Sequence, residues 1–168
     1  MADRTGFALD EAHEIAKRAH AGQVDKLGVD YVNHVESVAG GLVDFDLDLQ
    51  IAGMLHDVVE DSDITLADLR EAGVSERALG AIELVSRNLH PSLSYLEGIE
   101  RVCTSRDASL VKISDNAHNS LPERIEALGR PADPKYADAR RLLYAAVPRE
   151  DVERILRRAN PALLAELD

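Results

Sequence analysis

One short stretch of the chain carries four side chains that could bind a metal ion or move a proton. His56 and Asp57 are adjacent. Glu60 follows His56 by four residues, and Asp61 follows Asp57 by four residues. On a helix, which advances by about 100° per residue, all four would share one flank. Three carboxylates and an imidazole on a buried helix would repel one another and lose hydration, whereas a divalent cation relieves both effects. The spacing therefore predicts a metal site, with a solvated polar helix end as the alternative.

Two further segments offer possible ligands. Asp115, His118 and Asn119 occupy positions i, i+3 and i+4, which is one face of a helix, and the apolar residues before Asp115 indicate that the segment is partly buried. A buried Asp needs a partner, either a cation or a local hydrogen bond. We interpret His118 as a structural histidine, or one that supports a ligand, rather than as a ligand itself. His34 precedes a helical pattern and Lys26 lies in the loop before it; taken alone, they are typical of a structural histidine and a solvated lysine.

The elements that must position these residues are helices. Apolar residues recur at spacings of three and four through most of the chain, and no run of alternating apolar residues predicts a strand. The most apolar segment, residues 47–59, predicts one continuous helix at the centre of the fold. Residues 23–33 predict a loop, and Thr65 with Asp68 predicts a capped start for a short helix. The sequence thus predicts an all-α protein of about seven to nine helices.

Composition limits the classes of function. A length of 168 residues fits a single domain, taken as residues 1–168. Nineteen Lys and Arg against 31 Asp and Glu give a formal charge of −12, which disfavours nucleic acid and anionic membrane surfaces as partners. A small phosphate ligand remains compatible where a metal reverses the local charge. The single cysteine, Cys103, and the absence of a long apolar run predict a cytoplasmic protein without an internal disulfide or membrane span.

These residues carry a family resemblance. In order and spacing, two histidines and two aspartates resemble the H…HD…D signature of the HD-domain metal-dependent phosphohydrolases: His34, His56, Asp57 and Asp115. The likeness is more specific to the RelA/SpoT-type hydrolase domain. The run from His56 to Asp61 with Thr65 resembles its HD-x-x-ED-T block, and Lys112, Asp115 and Asn119 resemble its K-x-(A/S)-D-x-x-x-N block. It covers about residues 7–130, and the helices of residues 131–168 are expected to pack on that part. In length, the chain resembles the stand-alone small alarmone hydrolases.

The resemblance implies an all-α HD-domain fold and a reaction, the hydrolysis of the 3′-pyrophosphate of (p)ppGpp to GDP or GTP and pyrophosphate, usually with Mn²⁺. The implied metal ligands are His34, His56, Asp57 and Asp115. Glu60 and Asp61 are implied to orient or deprotonate the attacking water. Lys26 is implied to face the pyrophosphate, and Asn119 to contact the nucleoside.

Several positions depart from the family pattern, among them Ser120-Leu121-Pro122, which follows Asn119 where a residue and then Arg-Thr or Arg-Asp is usual. Asp25 and Leu27 stand where an arginine and a serine are usual, and Asn116 stands where a basic residue is usual. They leave open a second enzyme reading, an HD nucleotidase or phosphodiesterase acting on another nucleotide or phosphoester. A metal-stabilised nucleotide-sensing module is a non-enzymatic alternative, against which the presence of both Glu60 and Asp61 counts. A purely structural helical protein, which would bind no metal, is a third. The sequence fixes neither the metal nor the oligomeric state.

Overall fold

The computed structural model describes residues 6–168, which form eleven α-helices and two 3₁₀ helices. The α-helices are α1 Leu9–Ala19, α2 Val32–Gly41, α3 Leu47–Leu55, α4 Val58–Asp61, α5 Leu66–Ala72, α6 Glu76–Val85, α7 Tyr95–Val102, α8 Arg106–Asn119, α9 Pro122–Leu128, α10 Pro134–Ala146 and α11 Arg149–Ala159. The 3₁₀ helices are Arg87–Leu89 and Pro161–Leu167. These residues contain no strand, and their single β-type pairing is the isolated bridge between Val24 and Asp30. The all-α class is confirmed.

Helix α3 lies at the centre of the fold. Leu49 and every residue from 51 to 55 are buried, because α3 packs against α1, α2, α6 and α8 on its different sides. A helix surrounded in this way needs apolar residues around its whole circumference, and the sequence provides them. In the part of the chain that is described, no helix has the length and apolar character needed to cross a membrane.

The prediction of one continuous helix over residues 47–59 is wrong. Helix α3 ends at Leu55, His56 and Asp57 form a turn, and α4 begins at Val58. The His56 ring donates from Nδ1 to the Gly53 carbonyl at 2.7 Å, so a side chain occupies an acceptor that the next helical turn would use. Asp57 has φ −102° and ψ −3°, outside the helical optimum. The flank calculated for an unbroken helix therefore does not describe how the four polar residues lie.

The helix count also exceeds the prediction of seven to nine. One added element is the short helix α9, which begins at Pro122. At the C-terminal end, helix α11 ends at Ala159 and the chain continues as a 3₁₀ helix from Pro161. Proline lacks the N–H that an α-helix would need at that point, which explains the change.

Close packing around α2 brings the site-bearing helices together. Ser114 on α8 donates its hydroxyl to the Val38 carbonyl on α2 at 2.8 Å. The contact needs Gly41, since a Cβ at that position would overlap Ser114 Oγ and lie 3.2 Å from Ala159 Cβ of α11. Helices α10 and α11 pack on α8. The result is that α2 and α8 are held side by side near the turn after α3.

Candidate metal centre

The four predicted metal ligands converge from three parts of the fold. His34 projects from α2, His56 and Asp57 from the turn after α3, and Asp115 from α8. His34 Nε2 lies 3.1 Å from Asp115 Oδ1 and 3.7 Å from Asp57 Oδ2. His56 Nε2 lies 3.0 Å from Asp57 Oδ2 and 3.6 Å from Asp115 Oδ1. One donor atom each from His34, His56 and Asp57 lies within 4.8 Å of the other two, so this cluster could hold a metal ion.

The donor set fits a divalent cation. The side chains of His34 and His56 are only 4% and 2% exposed. His56 Nε2 is buried and has no hydrogen-bond partner among the described residues, although a carboxylate oxygen is 3.0 Å away. Because His56 Nδ1 donates to the Gly53 carbonyl, Nε2 is the ring nitrogen that points into the cluster and would offer its lone pair to a metal. Two imidazoles with two carboxylates suit borderline divalent metals.

When no cation is bound, the charges in the cluster balance only if some of its side chains hold protons. Burial lowers the pKa of His56, but the carboxylates of Asp57 and Asp115 outweigh burial and raise that pKa well above its ordinary value. Burial likewise opposes ionisation of Asp115, yet Lys112 and the two histidines hold its pKa well below the usual range. In the metal-free protein, a proton on His56 would compensate the acids, and a bound metal would take the place of that proton.

A further set of residues orients the carboxylates. Tyr31 Oη donates to Asp57 Oδ2 at 2.7 Å, Lys112 Nζ donates to Asp115 Oδ2 at 2.7 Å, and Asn119 Nδ2 donates to Asp115 Oδ1 at 2.9 Å. No role for Tyr31 follows from the sequence, because nothing in its spacing connects it to Asp57. The position of Lys112 three residues before Asp115 on one helix was a usable signal.

Glu60 and Asp61 lie on α4, beyond the turn that carries two of the candidate ligands. Glu60 Oε2 accepts a hydrogen bond from the Arg87 N–H at 3.3 Å, and burial together with the Asp57 charge raises the pKa of Glu60. Asp61 is exposed, and its Oδ2 accepts from Gln23 Nε2 at 3.0 Å. The two acids thus differ in environment: Glu60 is half-buried with a raised pKa, and Asp61 is at the surface.

A cavity of about 580 Å³ adjoins the cluster. Three of the predicted site residues line it, namely Lys26, His34 and Asn119, whereas Glu60 and Asp61 lie outside its wall. Its lining also includes Arg124 of α9 and Arg130, which the sequence had not singled out. A space of this size next to a metal-binding cluster can hold a nucleotide-sized ligand.

The positions that depart from the family pattern have structural partners here. Asp25 Oδ1 accepts from the N–H groups of Leu27 and Val29 at 2.8 and 3.0 Å, which closes the loop before α2. Asn116 is buried, where its amide donates to the Tyr136 carbonyl and its oxygen accepts from Arg140. Asn116 therefore joins α8 to α10 and does not face the cavity.

Comparison with known proteins identifies relatives of this chain. No protein-family model matches the chain. A probable GTP pyrophosphokinase of Mycobacterium leprae is 30% identical over 125 residues, covering 70% of this chain and 16% of that protein. Proteins named guanosine-3′,5′-bis(diphosphate) 3′-pyrophosphohydrolase are 35% identical over 119 residues in Aquifex aeolicus and 42% over 64 residues in Vibrio cholerae. Those alignments cover 66% and 37% of this chain, and 17% and 9% of the relatives, so the chain spans a small part of each.

A solved structure resembles the whole architecture. It is described as a metazoan ortholog of SpoT that hydrolyses ppGpp, and it superposes with a TM-score of 0.64 at 23% identity, covering 90% of this chain and 95% of the other. The relatives are named for both pyrophosphokinases and pyrophosphohydrolases, so the names alone do not distinguish synthesis from hydrolysis. The folds agree over nearly the full length of both chains. Together, the sequence relatives and the superposition identify an HD-domain fold of the (p)ppGpp-hydrolase type.

Proposed function

We propose that the protein is a metal-dependent phosphohydrolase that removes the 3′-pyrophosphate of (p)ppGpp, releasing GDP or GTP and pyrophosphate. The observation that carries this proposal is the convergence of His34, His56, Asp57 and Asp115 beside the nucleotide-sized cavity. The names of the Aquifex and Vibrio relatives support the choice of substrate. A cytoplasmic location belongs to the same proposal, because nucleotides are metabolites of that compartment.

The four clustered residues would hold the metal, for which Mn²⁺ is our proposal. When bound, a divalent cation supplies Lewis acidity toward water and a phosphoryl oxygen. Glu60, with its raised pKa, accepts the proton of the attacking water at a carboxylate oxygen. Asp61, held by Gln23, orients the water. Lys26 binds the pyrophosphate from the cavity wall, and Asn119 contacts the nucleoside while holding Asp115.

Asp25 and Leu27 favour a second candidate, hydrolysis of another nucleotide or phosphoester by the same site. Both candidates need the same metal ligands and differ only in what the cavity accepts. A nucleotide sensor without turnover is the non-enzymatic alternative. The half-buried Glu60 with its raised pKa has the properties of a proton acceptor, which a sensor would not need.

Product analysis by anion-exchange chromatography tests the proposal. The purified protein is incubated with ppGpp and Mn²⁺, and a parallel sample contains a chelator. We expect GDP and pyrophosphate only with the metal, and Asp57→Ala should lose both bound metal and turnover. Intact ppGpp in the presence of a metal-loaded protein would reject this substrate, and a panel of nucleotides and phosphodiesters would then distinguish the second candidate from the sensor.

A further inference from the structure

Three basic side chains line the cavity, and they differ in how their charge is balanced. Arg124 Nη1 donates to Asp25 Oδ2 at 2.8 Å, in a pair whose side chains are 17% and 7% exposed. Lys26 and Arg130 are exposed and form no ion pair within residues 6–168. The cavity therefore has one guanidinium that is already neutralised and two basic groups that are free to meet negative charge.

The orientation of Arg124 is fixed from behind. Asp25 Oδ1 accepts hydrogen bonds from the N–H groups of Leu27 and Val29, and these bonds restrict rotation of the carboxylate that pairs with Arg124. Among the described residues, neither Nε nor Nη2 of Arg124 has a hydrogen-bond partner. Arginine presents its N–H groups in a rigid planar fork, which suits recognition of two acceptors at once. A clamped guanidinium with unused donors on a cavity wall has the properties of a ligand-reading group.

The chemistry separates the purine bases. Guanine presents two acceptors on one edge, O6 and N7, and arginine binds both at once; adenine replaces the O6 acceptor by an amino donor. A neutralised guanidinium is better suited to an uncharged base edge than to phosphate, for which Lys26 and Arg130 remain available. We propose that Arg124, clamped by Asp25, is a specificity-determining residue that selects guanine over adenine in the cavity. This inference rests on the proposed function, since it assigns the base of that nucleotide substrate.

Turnover of two substrates that differ only in the base tests the assignment. The kcat/KM values for ppGpp and ppApp are measured with Mn²⁺ for the wild type and for Arg124→Lys. Lysine keeps the charge and the ion pair with Asp25, which protects the fold, but it lacks the planar fork of donors. In Arg124→Lys, we expect the ratio of kcat/KM for ppGpp to kcat/KM for ppApp to fall about tenfold. The fall should come mainly from a higher KM for ppGpp, and the metal content should be unchanged. Arg130→Gln is the matched control and should lower kcat/KM for both substrates by the same factor.

Direct binding separates failure of this inference from failure of the proposed function. Calorimetric titration with GDP and with ADP needs no turnover and is performed on the same proteins. If the wild type hydrolyses neither substrate but prefers GDP, and Arg124→Lys loses that preference, then the proposed function fails and Arg124 retains its role. A wild type without guanine preference, or a preference that Arg124→Lys leaves intact, overturns the assignment.

Discussion

Glu60 is the residue on which the proposed chemistry depends most directly. Burial and the charge of Asp57 raise its pKa, and the hydrogen bond from the Arg87 N–H offsets this only in part. The Glu60→Gln variant keeps the shape and the hydrogen-bond acceptor but cannot take a proton. We expect it to retain the metal and to lose kcat by about 10²–10⁴-fold. Steady-state kinetics with elemental analysis of the same sample measure both quantities, and full activity would place proton acceptance elsewhere.

His118 contacts His34, one of the candidate metal ligands, and we expect it to affect metal binding through that side chain. Its Nδ1 lies 2.7 Å from His34 Nδ1, on the side of the His34 ring that faces away from the carboxylates. Burial is the main cause that lowers the pKa of His118 to about 4, so the ring is neutral and can accept the His34 N–H. His118→Phe keeps an aromatic ring without an acceptor, and we expect about 10–100-fold weaker metal binding. Competition with a metal indicator measures the affinity, and an unchanged value would make the contact incidental.

The packing of helix α2 depends on its close approach to α8 at Gly41. A methyl group at Gly41 would displace the Ser114 hydroxyl from its hydrogen bond to the Val38 carbonyl, and Ala159 blocks relief on the other side. We expect Gly41→Ala to lower the free energy of unfolding by about 1–3 kcal/mol. Gly40→Ala is the control, because a Cβ there meets nothing within 4 Å, and it should stabilise the helix by up to about 1 kcal/mol. Chemical denaturation compares the two, and equal effects would contradict the packing argument.

Prediction from sequence succeeded for elements whose signals are local. The period of α1 and the capping box of Thr65 and Asp68 before α5 depend on neighbouring residues, and both are present. The break after α3 was missed because the His56 ring takes the Gly53 carbonyl, a competition that hydrophobic periodicity does not register. The four candidate ligands were found through the family resemblance, whereas Arg124 was missed because its partner Asp25 lies 99 residues away in the chain.

The candidate metal ligands come from α2, the turn after α3, and α8, so binding of a metal by them should stabilise the molecule as a whole. A ligand at 100 times its dissociation constant adds about 2.7 kcal/mol to the folded state. For a chain of this size, we therefore expect Mn²⁺ to raise Tm by about 5–10 °C relative to a chelated sample. Scanning calorimetry measures the shift. The control is Asp57→Asn, and the same shift in that variant would indicate binding elsewhere on the acidic surface, which has a formal charge of −12.

The pH dependence of this stabilisation follows from the balance of charge in the whole cluster. Burial lowers the pKa of His56, but Asp57 and Asp115 outweigh it and raise the pKa above its unfolded value. The stability that the proton gives the metal-free protein is therefore fully present below the unfolded pKa, and it is lost as pH rises through the raised folded pKa. The metal must displace that proton, so the Mn²⁺-induced rise in Tm should grow from mildly acidic to mildly alkaline pH. Calorimetry across this range, with proton release measured in buffers of different ionisation enthalpy, tests the link; a shift independent of pH would mean that His56 does not bind the metal.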